Sequence, residues 1–191
     1  MTHKILMRHL GNTLILASLV LFAYIASPVI LEEWQFRRQS AQEVPTPSSE
    51  FTVHIPSLAI RSKVIENVNA WNEADYQLAL QDGVAHASGS ATPNQNGSMF
   101  LFAHSSDVPW RMTRTNTAFF RLPRIYLGEK ILVDYQGERY AYEVSEIKEV
   151  WPHEVEAVTQ AQGDQVILQT CTPVGTSLKR LLVFAKKSDA N

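Results

Sequence analysis

Two side chains near the C-terminal end of this 191-residue chain are suited to covalent chemistry. Cys171 is its single cysteine, and Arg180 follows nine positions later, across a turn that contains a proline and a glycine. The thiolate is the nucleophilic form of cysteine, and a neighbouring base or cation makes it more abundant at neutral pH. Apolar residues on both sides of the turn predict two strands, Val166–Thr170 and Leu181–Ala185. If these strands pair, the thiol and the guanidinium lie side by side.

A histidine at the end of another apolar strand is the best partner for this thiol. His104 follows the apolar segment Ser98–Ala103, and polar residues come after it. Imidazole titrates near neutral pH, so it can move a proton to and from a reacting group. Four other histidines lack such surroundings and are expected to have surface or structural roles: His3, His9, His54 and His153.

The cysteine count limits the other roles of the thiol. A single cysteine forms no disulfide within the chain and builds no cysteine-rich metal site, and we expect neither a metal ion nor a cofactor. Two interpretations stay open for Cys171, a reactive nucleophile or a small buried apolar side chain. Rapid alkylation by iodoacetamide at neutral pH would distinguish the first from the second.

The composition predicts one folded domain and argues against nucleic acid as a partner. With 45% apolar and 19% charged residues, the chain is long enough for one well-buried core, which we place in residues 51–191. The net charge is -2, and no cluster of basic residues interleaved with aromatics could follow a phosphate backbone.

An uncharged segment near the N-terminus predicts a membrane anchor. Residues 10–31 read LGNTLILASLVLFAYIASPVIL, and about 20 apolar residues are enough to cross a bilayer. The segment is longer than the apolar part of a cleaved signal peptide, and Pro28 lies where cleavage would fall. We therefore expect a retained transmembrane helix, a short segment before it (residues 1–9) and a flexible stalk after it (residues 32–50). The charges on the two sides of the helix only slightly favour a cytoplasmic location for residues 1–9.

The pattern of residues in the domain predicts mainly strands. Apolar residues alternate in Phe51–Ile55, Ile131–Tyr135 and Arg139–Val144, and the last two segments flank a predicted hairpin turn, Gln136–Glu138. One helix is predicted from a cap at Asn72, and a short helical turn is predicted after a later proline. Many short antiparallel strands with few helices indicate a barrel or a sandwich, and periodicity does not choose between them.

Two segments of the chain resemble the sortase family. The stretch LQTCTPVGTSLKRLLV, from residue 168, is similar to the family signature in which a Thr-Cys pair ends the seventh strand and an Arg opens the eighth. The stretch GVAHASGSATPNQNGSMFLFAHSS, residues 83–106, is similar to the segment that leads to the catalytic histidine of that family. The resemblance implies a mainly β fold, a closed eight-stranded barrel with short helices, after one N-terminal transmembrane helix.

The resemblance also implies an activity and its residues. Cys171 would attack a backbone carbonyl in a C-terminal sorting signal of the LPxTG kind and form a thioacyl enzyme. His104 would protonate the leaving amine and deprotonate the incoming one, and Arg180 would stabilise the oxyanion. Three further residues are expected at the substrate: Thr170, His86 and Trp110.

The implied partners are proteins that carry such sorting signals and an amine acceptor, either a cell-wall precursor or a pilin lysine. The implied location is the cell membrane, with a single span, the N-terminus in the cytoplasm and the catalytic domain on the extracytoplasmic side. This is the side on which sortase substrates are found.

Some features of the sequence depart from the family, and one alternative function stays open. Ala103 replaces a frequent Gly, and Ser105 replaces a frequent Arg, so the sortase subclass is not determined. The chain lacks the Ser-His-Gly-Cys cluster of L,D-transpeptidases, and its histidine precedes its cysteine, opposite to papain-like peptidases. The alternative is a non-catalytic, membrane-tethered β-barrel that binds peptides or glycans, in which Cys171 is buried and inert.

Overall fold

The structure is a computed structural model, and it describes residues 11–24, 46–106 and 117–188, together with Met7, His9 and Ser27. Residues 11–24 are helical and form α1. The transmembrane helix was predicted over residues 10–31, and part of that range lies outside the described residues. Within the described part of the chain, no helix combines the length and the apolar character that crossing a bilayer requires.

Eight strands close into a barrel, as the family resemblance implies, and the sandwich is excluded. The strands follow one another around the barrel in the order β1-β2-β3-β4-β7-β8-β6-β5. Their bounds are β1 Thr52–Ile55, β2 Ile60–Val68, β3 Val84–Ala87, β4 Ser98–Phe102, β5 Lys130–Tyr135, β6 Glu138–Val150, β7 Gln165–Thr172 and β8 Lys179–Ser188.

Two strand pairs are parallel, which the sequence pattern did not predict. β2 pairs with β3 in parallel, and β4 pairs with β7 in parallel, whereas the other neighbours are antiparallel. Parallel neighbours cannot be joined by a hairpin, because the chain must cross back to the starting end of the sheet. The second parallel pair matters most here, since it brings the ends of β4 and β7 to the same edge of the barrel.

The short helices lie in the segments that connect the strands. The helix α2, Glu73–Asp82, makes the crossover from β2 to β3, and α3, Glu156–Thr159, lies between β6 and β7. The predicted cap of α2 is confirmed, because the Asn72 side chain accepts a hydrogen bond from the Ala74 N–H at 3.1 Å. Among the described residues, 3-10 turns occupy Pro56–Leu58 and Leu122–Arg124.

The predicted hairpin between β5 and β6 is confirmed. Gln136 and Gly137 have φ values of 53° and 87°, so both central residues of the turn adopt a left-handed conformation. A two-residue turn of this kind matches the twist of paired strands, and glycine fits its second position without steric cost.

Apolar residues pack on both sides of the sheet formed by β4, β7 and β8. The main core fills the barrel and includes Leu168, Leu181 and Val183. A smaller cluster of Ile167, Leu182 and Phe184 lies on the other face, next to residues of α3. Successive side chains of a strand point to opposite faces. Cys171 comes four residues after Ile167 and therefore lies on the same outer face of β7.

Candidate active site

The thiol and the guanidinium lie opposite each other on neighbouring strands. Antiparallel pairing of β7 and β8 places Cys171 against Arg180, which confirms the adjacency predicted from the sequence. Side chains at directly opposed positions have Cβ atoms about 4.5–5.5 Å apart. The Arg180 Nη1 donates to the carbonyl oxygens of Ser177 and Lys179, at 3.1 and 3.3 Å, so the loop before β8 orients the guanidinium. Cys171 is a free thiol and is partly exposed.

The parallel pairing of β4 and β7 brings the histidine to the same place. Phe102 of β4 is opposite Gln169 of β7. His104 and Cys171 each come two residues after this pair, so the two side chains reach the same edge of the barrel. Strand ends thus bring the histidine and the cysteine together from distant parts of the chain.

Hydrogen bonds fix the backbone around the histidine on two sides. The Ala103 N–H donates to the Gln169 carbonyl at 3.1 Å, and the Thr170 hydroxyl donates to the Ala103 carbonyl at 2.8 Å. From the other side, the Phe119 N–H donates to the His104 carbonyl at 3.2 Å. The strand that carries the cysteine and the segment that carries the histidine are therefore tied together.

Cys171, His104 and Arg180 line one open cavity of about 1270 Å³, and Thr170 also lines it. One wall of this cavity comes from α2 and the other from the loop between β7 and β8. That loop is joined to the segment after the histidine, because the Gly175 N–H donates to the Ser106 hydroxyl oxygen at 2.9 Å. The three residues that the sortase resemblance implies to be catalytic therefore lie in one solvent-accessible space.

A second groove, of about 980 Å³, adjoins this cavity, and the two share the lining residues Ala70, Phe100, Gln169 and Arg180. Apolar side chains of the outer face form its floor, among them Phe100, Ile167 and Leu182. Two tryptophans stand on its rim, Trp71 and Trp151, with 82% and 46% of their surfaces exposed. An apolar floor below an open rim suits an extended peptide with apolar side chains.

Comparison with known proteins identifies the family. A family model described as the sortase domain matches residues 53–188. The chain belongs to the sortase family. The chain is 23% identical over 157 residues to Sortase D of Bacillus subtilis (strain 168), a match that covers 80% of this chain and 71% of that protein.

Solved sortase structures share the fold. Sortase A from Corynebacterium diphtheriae, in a lid mutant, is 24% identical with a TM-score of 0.59, and the match covers 82% of this chain and 78% of that one. Sortase C1 from Streptococcus agalactiae is 22% identical with a TM-score of 0.60, over 83% of this chain and 77% of that one. Relatives named A, C1 and D all match at similar identity, so the subclass of this sortase stays undetermined.

The remaining predicted site residues differ in their positions. Thr170 lies at the cavity, but its hydroxyl is used by the Ala103 carbonyl. His86 is buried in β3 and lines neither this cavity nor the second groove, so its position does not support a direct contact with substrate. Trp110 lies outside the described residues.

Several groove residues were not predicted as site residues from the sequence. The groove rim carries Trp71 and Trp151, and the cavity wall carries Tyr76 and Gln77 of α2. The sequence held one signal for them, since a large exposed aromatic residue in a loop often marks a binding surface. Nothing local in the sequence places these loops beside the thiol.

Acidic and basic side chains near the site form ion pairs and ring contacts rather than a recognisable metal site among the described residues. Within residues 11–24, 46–106 and 117–188, no group of three His, Cys, Asp or Glu side chains could hold a metal ion. The expectation that the protein uses no metal and no cofactor stays a prediction. Lys179 lies beside the site, where its Nζ is 5.5 Å from the centre of the Trp151 ring and 3.4 Å from Glu149 Oε2.

Proposed function

We propose that this sortase cleaves a C-terminal LPxTG-like sorting signal through a thioacyl intermediate and transfers the cleaved protein to an amine. The observation that supports it best is the pairing of Cys171 with Arg180 in the cavity that His104 also lines. Sortases are cysteine transpeptidases, and Cys171 is the single cysteine of this chain. The alternative of an inert, buried cysteine fits less well, because this thiol is partly exposed.

In the first step, the Cys171 sulfur attacks the carbonyl carbon of the scissile peptide bond. Negative charge develops on the carbonyl oxygen, and the Arg180 guanidinium stabilises it with a charged N–H donor. The carbon–nitrogen bond then breaks, and the leaving amine takes a proton from the His104 imidazolium. The products are a thioester on Cys171 and the free amine of the C-terminal fragment.

In the second step, an acceptor amine replaces the fragment that has left. The amine gives a proton to neutral His104 as its nitrogen attacks the thioester carbonyl, and Arg180 again stabilises the oxyanion. The carbon–sulfur bond breaks, the Cys171 thiolate is regenerated, and a new amide bond joins the protein to the acceptor. Attack by water instead of an amine would give hydrolysis as a side reaction.

The two grooves suggest which part of the substrate lies where. His104 exchanges protons with amines, and it lines the first cavity but not the second groove. The leaving and incoming amines therefore belong in the first cavity. The acyl part of the sorting signal then extends from the Cys171 and Arg180 pair into the apolar second groove, which Arg180 also lines.

The proposal includes partners and a location. The partners are proteins with LPxTG-like sorting signals and an amine acceptor, either a cell-wall precursor or a pilin lysine. The uncharged segment at residues 10–31 supports a membrane anchor, with the catalytic domain on the extracytoplasmic side.

The first prediction tests the nucleophile directly. Incubation with a library of LPxTG-like peptides should give a covalent adduct on Cys171, detected by mass spectrometry of the intact protein. Cys171→Ala should abolish both adduct and cleavage, and Cys171→Ser should be nearly inactive, because a hydroxyl is a much poorer nucleophile without a strong base. Cleavage retained by a correctly folded Cys171→Ala variant would contradict the proposed function.

A further inference from the structure

One wall of the second groove is a loop with little regular structure of its own. Residues 88–91, which follow β3, line this groove together with later residues of the same loop. Gly89 has a φ of +82°, a left-handed conformation that glycine adopts without steric cost. Backbone hydrogen bonds hold this wall at Ser88, whose N–H donates to the Val68 carbonyl, and at Ala91, whose N–H donates to the Ser98 carbonyl, and side chains beneath the loop hold the rest.

His86 lies directly beneath this wall. The residue is buried, with only 3% of its surface exposed. The Asn67 N–H donates to His86 Nδ1 at 3.3 Å, and a backbone N–H can only donate, so Nδ1 carries no proton. In the neutral ring the proton is consequently on Nε2, which lies 3.1 Å from the Ala91 carbonyl oxygen and 3.0 Å from the Ser90 hydroxyl oxygen.

The Ser90 hydroxyl completes this arrangement. It donates its own hydrogen to the Ala87 carbonyl at 2.8 Å and accepts a hydrogen bond from the Phe100 N–H at 3.2 Å. Since its hydrogen is already used, its oxygen acts as an acceptor towards His86 Nε2. The imidazole thereby connects β2, where it binds the Asn67 N–H, to the groove wall at Ser90 and Ala91. The Ser90 hydroxyl extends this connection to Phe100 in the groove floor.

The surroundings of the ring favour its neutral form. Burial, the strongest influence, lowers the pKa of His86, although the Ala91 carbonyl and the Glu66 carboxylate act in the opposite direction. A second proton would also place an N–H donor on Nδ1 against the Asn67 N–H donor. The ring packs against Phe51, with ring centres 5.7 Å apart, which fixes its orientation.

We propose that His86 is a positioning residue for the peptide groove: its Nε2–H holds the loop at Ser90 and Ala91 in place as the groove wall. The inference rests on the proposed function, which assigns this groove to the acyl part of the sorting signal. His86 itself touches no substrate. Its loss should weaken peptide binding, because the wall moves while the side chains that carry the chemistry are not contacted.

Two amide substitutions separate the two sides of the ring. In His86→Gln the terminal amide nitrogen reaches the position of Nε2 and keeps a donor for the loop. In His86→Asn the shorter amide reaches only the position of Nδ1, so it serves Asn67 and leaves the loop without its donor. His54→Asn is the matched control, since His54 lies in β1 and lines neither groove.

The readout is the affinity for an LPxTG-like peptide, chosen from the library and measured in the Cys171→Ala background so that no cleavage occurs. We expect His86→Asn to weaken binding about tenfold and His86→Gln to stay within about threefold of the parent, in line with the loss of one or two buried hydrogen bonds. His54→Asn should bind as the parent does. Thermal melting shows whether each variant is folded.

The outcomes separate this inference from the proposed function. Equal affinities for His86→Asn and His86→Gln would overturn the positioning role. If His86 served only to stabilise the fold, both substitutions would lower the melting temperature, and their peptide affinities would not differ. A parent protein that binds peptide while the enzyme with Cys171 neither cleaves it nor forms an adduct contradicts the proposed function alone. A parent protein that binds no peptide contradicts both.

Discussion

The chemistry proposed for single residues depends most on Arg180, because its guanidinium lies opposite Cys171 and the residue lines both the first cavity and the second groove. Its Nη1 is oriented by the Ser177 and Lys179 carbonyls, which leaves the other N–H donors of the fork for an oxyanion. A lysine would keep the charge and lose the fork. The role can therefore be tested by separating charge from geometry.

We predict that Arg180→Ala lowers the single-turnover acylation rate by about 10²- to 10³-fold, as expected for the loss of an oxyanion donor. Arg180→Lys should lie between this variant and the wild type, with little change in peptide affinity for either. The control is Lys179→Ala. Lys179 directly precedes Arg180 in β8 and is opposite Thr172, so its side chain points to the other face of the strand from that of Arg180. Its contacts are a partly exposed ion pair with Glu149 and the Trp151 ring on the groove rim, and neither lies at the reacting carbonyl, so the loss of Lys179 should change the rate by less than about threefold. A large loss of rate in Lys179→Ala together with a near-normal rate in Arg180→Ala would contradict the oxyanion role assigned to Arg180.

At the scale of elements, the site is held by contacts between segments that are far apart in the sequence. Ser106, just after the histidine, accepts a hydrogen bond from Gly175 in the loop between β7 and β8. The same loop supplies the Ser177 carbonyl that orients Arg180. The position of the guanidinium therefore depends on a hydroxyl that follows β4.

We predict that Ser106→Ala lowers kcat about two- to tenfold, the effect of losing one hydrogen bond of ~1 kcal/mol at a catalytic loop. Ser106→Thr, which keeps the hydroxyl, should recover most of the rate. Ser105→Ala is the neighbouring control, because the buried Ser105 hydroxyl has no hydrogen-bond partner among the described residues. Steady-state kinetics with one sorting peptide would compare the three, and equal rates for Ser105→Ala and Ser106→Ala would argue against the loop contact.

The elements also show which parts of the structure can be predicted from the sequence. The hairpin at Gln136–Glu138 and the cap at Asn72 were predicted because their chemistry is local. The adjacency of Cys171 and Arg180 followed from one short turn between two apolar strands. The parallel pairing of β4 with β7 could not be predicted from periodicity, because it depends on contacts between residues more than sixty positions apart. For the same reason, the sequence suggested a site role for His86 but not its place under the groove wall.

At the scale of the whole molecule, the segment that enters the barrel and the candidate active site lie at opposite ends of the long strand β6. The segment before β1 binds beside the β5–β6 hairpin, where the Ser48 N–H donates to Asp134 and its carbonyl accepts from the Gly137 N–H. β6 starts at this hairpin and ends at Val150, opposite Arg180. Its 13 residues span up to about 40 Å at ~3.3 Å per residue. If the stalk leads to a membrane anchor, the active site faces away from the anchored end, towards partners at a distance.

The stability of the whole barrel should depend on pH through two histidines that are neutral in the fold. Burial is the main cause that lowers the pKa values of His54 and His86 below the ordinary 6.5. The unfolded chain therefore binds more protons than the folded one once the pH falls below about 6.5, so acid favours unfolding. This contribution to stability is complete above that pH and is lost progressively as the pH falls towards the folded pKa values.

We predict that the free energy of unfolding in urea decreases as the pH is lowered from 7.5 to 5, and that His54→Asn makes this decrease smaller. Because burial has more influence than nearby charges on both groups, the slope should persist in 0.5 M salt, which screens exposed charges. Urea titrations at several pH values, with and without salt, measure this directly. A flat profile would mean that the two rings take up protons at the same pH in the folded and the unfolded chain, and burial would then not lower their pKa values in the barrel.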